Sequence, residues 1–230
     1  MHKASKYVFI IVVILLLGLS KSSLDGILLK NSGLFKTVQL RSPLSLGDMV
    51  VLPKEKNYDR NEVKKIISRL DHLPPSILKR ADSKGIKIKL FQGKLTDNPT
   101  AAYLKGKTPR GYANHSITWD DVPGIGGSKT VLIKIGCSEK GKGHGSVNLE
   151  LHELAHSLEH YLYDGKNEQS TFDTIWKQEA PKLFPGNAYF IDYQEEYFAE
   201  CFAMFFYSTS TKIQLKKFAP FTYEYISKLS

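Results

Sequence analysis

Two histidines, His152 and His156, stand four positions apart, with the glutamate Glu153 directly after the first. On an α-helix, residues with this spacing lie on one face a single turn apart, so both imidazoles can reach one metal ion. Glu153 points about 100° away around the helix axis, toward a water molecule beside the metal. The H-E-x-x-H pattern therefore predicts a Zn²⁺ site with Glu153 as general base, as in hydrolytic zinc enzymes.

A second metal-binding pattern overlaps the first. The segment His156-Ser157-Leu158-Glu159-His160 matches the inverted motif H-x-x-E-H, in which Glu159 would be the base. A helix that carries histidines only for packing is a third interpretation. The position of a third ligand must distinguish among them.

Candidate third ligands lie further along the chain. Glu196 and Glu200 are four positions apart in a segment that is otherwise mainly apolar. A catalytic zinc site uses three protein ligands, and two histidines with one glutamate are an established set. Acidic side chains beside an apolar helix face are also often simply solvated, so the residues alone leave the assignment open.

Helices must position these side chains, and the apolar pattern predicts the first of them directly. After Asn148, apolar residues recur at helical spacing from Leu151 to Leu162. Gly165 is placed to end this helix, because glycine is favoured just past a helix C-terminus.

The last helix is predicted to begin after Asp192 and to run to about Tyr207. Asp192 and Glu195, three positions apart, resemble a capping box at its start. Shorter patterns predict further elements: helices over 61–70 and 171–182, strands over 86–90 and 131–135, and loops over 92–128.

The N-terminus has the layout of an export signal. Lys3 and Lys6 precede an apolar run over residues 7–19, and small polar residues follow. We expect residues 1–22 to be a signal peptide, with an uncleaved N-terminal anchor as the alternative. Residues 23–58 show little pattern and are expected to be a connector, which leaves 59–230 as the zinc metallopeptidase domain.

Composition restricts the class of partner. The chain carries a net charge of +9, but it shows no nucleic-acid motif, so a nucleic-acid partner is not expected. A basic exported protein can adhere to anionic cell-wall polymer or lipid. The two cysteines, Cys137 and Cys201, are interpreted as unpaired buried thiols, with a disulfide as the alternative.

Four blocks of sequence together carry a resemblance to a known family. They occupy residues 109–112, 118–127, 148–156 and 196–200. In these blocks the sequence resembles the anthrax lethal factor family, and in particular its small secreted Pro-Pro endopeptidases. The resemblance implies an α+β, zincin-like metallopeptidase domain, in which a small mixed sheet packs on an active-site helix and a C-terminal ligand helix.

The resemblance also implies roles for individual residues. The family's third zinc ligand corresponds to Glu196. Glu200 would accept hydrogen bonds from the zinc-binding histidines and so orient them. The family's catalytic tyrosine lies seven positions before that ligand, which is Tyr189 here, with Tyr193 as the nearby alternative. The implied cofactor is one Zn²⁺ per chain.

The implied substrate is an extracellular protein or peptide that contains adjacent prolines. The family's substrate channel corresponds to Arg110, Tyr112, Gly126, Gly127 and Ser128. Members of the Pro-Pro subgroup carry lysine and tryptophan where this chain has Arg110 and Tyr112, and tyrosine offers a smaller stacking face than tryptophan. We expect a secreted monomer. The alternative function is a catalytically silent secreted module that binds or adheres through the same fold.

Overall fold

The computed structural model describes residues 24–229 except 56, 111–116 and 164–165. Within these residues a mixed sheet of five strands packs against helices, as the sequence predicts. The strands are β1 (Ile27–Leu28), β2 (Val50–Leu52), β3 (Lys87–Phe91), β4 (Gly124–Ile125) and β5 (Thr130–Lys134). The helices are α1 (Pro43–Met49), α2 (Arg60–Asp71), α3 (Pro75–Ser83), α4 (Leu149–Leu158), α5 (Lys166–Leu183), α6 (Ala188–Asp192), α7 (Gln194–Tyr207), α8 (Thr209–Phe218) and α9 (Pro220–Ser227).

The strand order is β1-β2-β3-β5-β4, with a parallel centre and antiparallel edges. Central parallel strands are covered on both faces. In β3, apolar residues alternate with lysines, a pattern that predicts one exposed face, but both faces of the strand are buried. Lys89 of β3 is only 6% exposed, and burial lowers the pKa of its amine. Strand β4, inside the predicted loop region, forms one edge of the sheet and lies beside β5 alone.

The segment 23–58 differs from the expected connector. Its residues form β1, α1 and β2, and β2 pairs in parallel with β3 in the sheet. Apolar side chains of this segment, such as Leu29 and Leu46, are fully buried in the main core. The short apolar pieces were too brief to show periodicity, and the strands they form are two and three residues long.

The active-site helix begins as predicted but ends differently. The Asn148 side chain accepts a hydrogen bond from the Leu151 N–H (3.1 Å), which caps the N-terminus of α4. The α-helical pattern stops at Leu158, and a π-helical turn, Glu159–Tyr163, replaces the predicted last turn. Such a turn contains one residue more than an α-helical turn and commonly occurs near functional sites.

The capping box predicted at Asp192 is wrong. Asp192 is the last residue of α6, and α7 begins two residues later with Tyr193 at its N-cap, which makes no side-chain capping bond. Helix α7 ends at Tyr207 as predicted, and α8 and α9 then follow it. The Tyr197 hydroxyl and Thr222 Oγ1 form a buried hydrogen bond (2.8 Å) that joins α7 to α9.

Both cysteines are unpaired, as interpreted from the sequence, but only Cys201 is buried, whereas Cys137 is partly exposed. Cys201 lies on the buried part of α7, where burial raises the pKa of its thiol. No helix among the described residues is long and apolar enough to cross a bilayer. The expected signal peptide, residues 1–22, lies outside the described part of the chain.

A buried ion pair anchors the start of α4. Arg69 of α2 donates to Glu150 (Nη1–Oε1 2.8 Å) and also bonds Glu139, which in turn accepts from the Tyr207 hydroxyl (2.5 Å). Glu150 is fully buried, and its other oxygen has no hydrogen-bond partner among the described residues. This network connects α2, α4 and the end of α7.

Removal of the Arg69 cation is expected to destabilise the protein strongly. Arg69→Met leaves the Glu150 carboxylate buried and unpaired, which should lower the free energy of unfolding by about 3 kcal/mol in urea titrations. Lys65→Met is the control, since it removes a cation from the same helix but from the exposed pair with Glu62. An equal loss of stability in both variants would contradict the importance of the buried pair.

Candidate metal centre

Helices α4 and α7 bring three potential ligand atoms together. The His152 Nε2 lies 3.2 Å from Glu196 Oε2 and 3.2 Å from His156 Nε2, and the third side of the triangle, from His156 Nε2 to Glu196 Oε2, is 3.4 Å. Ligand atoms around a tetrahedral zinc ion are separated by about 3.3 Å, given zinc–ligand distances of about 2.0–2.1 Å. The three atoms are therefore spaced as such an ion requires.

Glu200 occupies one ring nitrogen of His152 and so determines which nitrogen is available to a metal ion. Its Oε2 is 3.1 Å from His152 Nδ1, and its Oε1 accepts from the Val147 N–H (2.9 Å). A carboxylate only accepts hydrogen bonds, so Nδ1 carries a proton, and Nε2 is the His152 nitrogen that faces Glu196 and His156. Nε2 and the Glu196 carboxylate are held this close by a positive charge between them, which is either a proton on Nε2 or a metal ion bound by both groups.

The ionisation of the two groups agrees with this geometry. Burial opposes protonation of His152, but its hydrogen bonds to Glu196 and Glu200 outweigh burial and raise its pKa above the usual range. Burial also opposes ionisation of Glu196, but bonds to His152 and His156 hold its pKa far below the usual range. The site favours a negative Glu196 beside a positive charge.

The inverted motif does not assemble in the same way. Among the described residues, only His152, His156 and Glu196 form a cluster that could hold a metal ion. His160 is exposed and makes an edge contact with the ring of Tyr161. Glu159 and His160 line the cleft beside the centre, in the π-helical turn.

Glu153 lies beside the triangle without being part of it. Glu153 is half-buried, and burial raises the pKa of its carboxyl group. Gly126 approaches α4 so closely that a Cβ atom there would lie 1.9 Å from the Glu153 carbonyl oxygen. A side chain at this position is therefore excluded.

The two candidate tyrosines have different surroundings. Burial and the nearby negative charge of Glu196 raise the pKa of the Tyr189 hydroxyl. Tyr193 instead stacks under the Arg110 guanidinium, which lies 4.0 Å from the ring centroid. Tyr189 is placed by the short helix α6, whose N-cap residue Asn187 accepts from the Tyr189 N–H (3.2 Å).

Arg110 contacts α7, and the sequence did not predict this contact. Its Nη2 lies 2.6 Å from Glu195 Oε1 and 3.4 Å from Glu196 Oε1. Because the two partners are distant in sequence, only the fold brings them together. Tyr112, predicted to act with Arg110, lies outside the described residues.

The metal centre opens into a cleft with a volume of about 1060 Å³. Gly126 and Gly127 line it, whereas the Ser128 hydroxyl bonds to the backbone of Thr130 and is not among the lining groups. His144 lines the same cleft, with its ring nitrogens bonded to Ser146 Oγ (2.9 Å) and the Cys137 carbonyl (2.8 Å). These bonds show that His144 holds its loop together.

Comparison with known proteins identifies the family. The family model described as anthrax toxin lethal factor, N- and C-terminal domain, matches residues 38–229. The chain belongs to the anthrax lethal factor family. The predicted resemblance and the α+β, zincin-like fold class are therefore confirmed.

Within the lethal factor family, similar relatives carry one name. A curated Pro-Pro endopeptidase from Paenibacillus alvei is 43% identical over 184 residues, which cover 80% of this chain and 84% of the relative. Another from Clostridioides difficile is 42% identical over 187 residues, or 81% of this chain and 83% of the relative. A solved structure of the Pro-Pro endopeptidase from Paenibacillus alvei superposes with a TM-score of 0.75 at 42% identity, covering 81% of this chain and 100% of that one.

The hydrogen bonds of Glu200 predict its effect on metal affinity. Glu200→Gln retains the size of the side chain but replaces one acceptor oxygen by an NH₂ group, so the side chain can no longer accept from both Val147 and His152. We expect zinc affinity to fall about 10- to 100-fold, as for other partners of metal-binding histidines. Competition with a fluorescent chelator measures this change. Glu62→Gln, on the exposed face of α2, should leave zinc affinity unchanged, and an unchanged affinity in Glu200→Gln would contradict the assignment.

Proposed function

We propose that this protein is a zinc-dependent endopeptidase that hydrolyses peptide bonds between adjacent prolines. The proposal is carried by one observation above all: three ligand atoms converge beside Glu153 at the wall of a large cleft. Its substrate class is supported by the two curated relatives, both of which are named Pro-Pro endopeptidases.

Zinc suits this donor set better than other common divalent ions. Two imidazoles and one carboxylate form a known catalytic zinc set, whereas calcium and magnesium prefer oxygen ligands throughout. We assign His152, His156 and Glu196 as the ligands, with Glu200 supporting His152. When bound, the zinc ion acidifies a water molecule and polarises the scissile carbonyl.

Glu153 and Tyr189 supply the remaining chemistry. The Glu153 carboxylate takes a proton from the attacking water and delivers it to the leaving nitrogen. This delivery is essential for a proline leaving group, because its ring nitrogen must gain a proton to depart as a secondary amine. The Tyr189 hydroxyl donates a hydrogen bond to the oxyanion that develops on the scissile carbonyl.

The cleft walls fit a proline-rich segment. Proline offers no N–H group, so its recognition depends on apolar and aromatic surfaces, as in other sites for extended proline-rich peptides. Apolar lining side chains include Trp119, Val122, Pro123, Ile125 and Leu149. The cleft also exposes the edge strand β4, which has no partner on its outer side within the described residues. An extended peptide can lie along such an edge.

We expect Glu153→Gln to retain about one zinc per chain but to lose at least about 100-fold in turnover. The substitution removes the general base and leaves the three zinc ligands in place. A peptide library with and without adjacent prolines, digested and analysed by mass spectrometry, measures cleavage, and a chelator provides the zinc-free control. Glu159→Gln is the matched variant and should remain active.

The outcomes separate the candidate functions. Loss of activity in Glu159→Gln, with Glu153→Gln active, would assign the base to the inverted motif. Bound zinc without any cleavage by the unmodified protein would support the silent binding module. Cleavage that ignores adjacent prolines would retain the endopeptidase and reject the Pro-Pro specificity.

Export is also part of this proposal. The basic residues Lys3 and Lys6, followed by the apolar run over 7–19, are typical of a signal peptide, and extracellular substrates require export. We expect the mature protein in the culture medium to begin close to residue 23. N-terminal sequencing of the exported chain measures this start, and recovery of the full-length chain in the membrane fraction would instead support the anchor.

A further inference from the structure

Ser157 lies on α4 directly after the ligand His156, and its side chain is fully buried. Its hydroxyl donates to the Ser128 carbonyl (Oγ–O 2.7 Å) and accepts from the Gly127 N–H (3.1 Å). Both partners belong to the segment Gly126-Gly127-Ser128 between β4 and β5, here termed the 126–128 loop. The hydroxyl thus forms two hydrogen bonds to this loop.

A serine is not needed here for the helix itself. Alanine is a better helix former than serine. A serine inside a helix usually turns back to the carbonyl four residues earlier, which in α4 belongs to Glu153. The Ser157 hydroxyl donates across to the loop instead. The hydrogen bonds to the loop therefore account for a polar side chain at this fully buried position.

The preceding loop residue is attached to the same helical turn. The Gly126 backbone packs against the Glu153 carbonyl so closely that no Cβ atom would fit between them. Three successive loop residues are therefore attached to residues 153–157. This turn carries both the proposed base and the ligand His156.

The loop has an open side as well as an attached side. Gly126 and Gly127 line the cleft, and the loop continues the edge strand β4. A peptide that lies along this edge meets backbone groups whose positions depend on the attachment to α4. A segment that is already ordered loses less conformational entropy when a ligand binds, so its attachment increases affinity.

We propose that Ser157 is a positioning residue, which fixes the 126–128 loop against α4 and thereby sets the affinity for the substrate peptide. Its effect on substrate rests on the proposed function, whereas its effect on the loop does not. Contacts along an extended peptide are made equally in the bound substrate and in the transition state, so their weakening raises KM and leaves kcat nearly unchanged.

Ser157→Ala tests the proposal in three measurements on the full chain. Amide exchange of residues 124–130 should accelerate about tenfold, and KM for a peptide with adjacent prolines should rise about tenfold, since two hydrogen bonds to the loop are lost. Turnover should stay within about twofold, because the base and ligands are untouched. The zinc affinity should not change. Ser157→Thr retains the hydroxyl and should restore slow exchange.

Ser83→Ala is the matched control. Its hydroxyl also donates to a backbone carbonyl at 2.7 Å, but on α3 and outside the cleft lining. It should change neither exchange of residues 124–130 nor KM. Unchanged exchange in Ser157→Ala would overturn the proposal, and so would a loss of zinc affinity, which would assign Ser157 to the metal centre. If the unmodified protein cleaves no peptide, the proposed function fails, while exchange still decides whether Ser157 fixes the loop.

Discussion

Two carboxylates of α7, Glu196 and Glu200, are buried against the imidazoles of α4, and the centre depends on how their charges are compensated. Burial of a carboxylate costs several kcal/mol unless charges and hydrogen bonds compensate for it. Glu200 is compensated by the Val147 N–H and by His152. Glu196 faces the ring nitrogens of His152 and His156 and requires a positive charge there, so a bound metal ion would also stabilise the contact between the two helices.

Helix α4 is fixed from two further directions, each by a different physical means. Its first turn is held through charge, by the pair of Arg69 and the buried Glu150. Its middle is held through close contact, because Gly126 lacks a side chain where the Glu153 carbonyl lies. Two ligands four residues apart converge on one point only if the helix is held firmly. Displacements of about 1 Å strongly reduce the activity of such sites.

The sequence predicted the local part of the centre well and the long-range part poorly. The spacing of His152 and His156 and the apolar repeat of α4 are properties of a single helix, so periodicity alone indicates them. Glu196 required either the fold or the family resemblance, because nothing local distinguishes a buried carboxylate from a solvated one. The contacts of Arg110 with Glu195 and of Ser157 with the 126–128 loop join distant segments, and no periodic pattern encodes them.

The same reasoning explains the errors in the fold. Strands β1 and β2 are too short to alternate visibly, and they form because neighbours are available: β2 pairs with β3, and β1 pairs with β2. Asp192 and Glu195 have the spacing of a capping box, but Asp192 ends α6 and the N-cap of α7 is Tyr193, one residue later. The local pattern therefore predicted the start of α7 to within two residues but assigned the wrong N-cap residue.

The π-helical turn Glu159–Tyr163 has a consequence for how chains of this architecture can differ in length. A π turn is geometrically an α-helix into which one residue has been inserted. Its location after Leu158 places the extra residue beyond both histidines, so their spacing is preserved while the outgoing backbone is rotated by about 100°. Single-residue gain or loss in this stretch would redirect the segment that follows and leave the metal-binding helical turn intact.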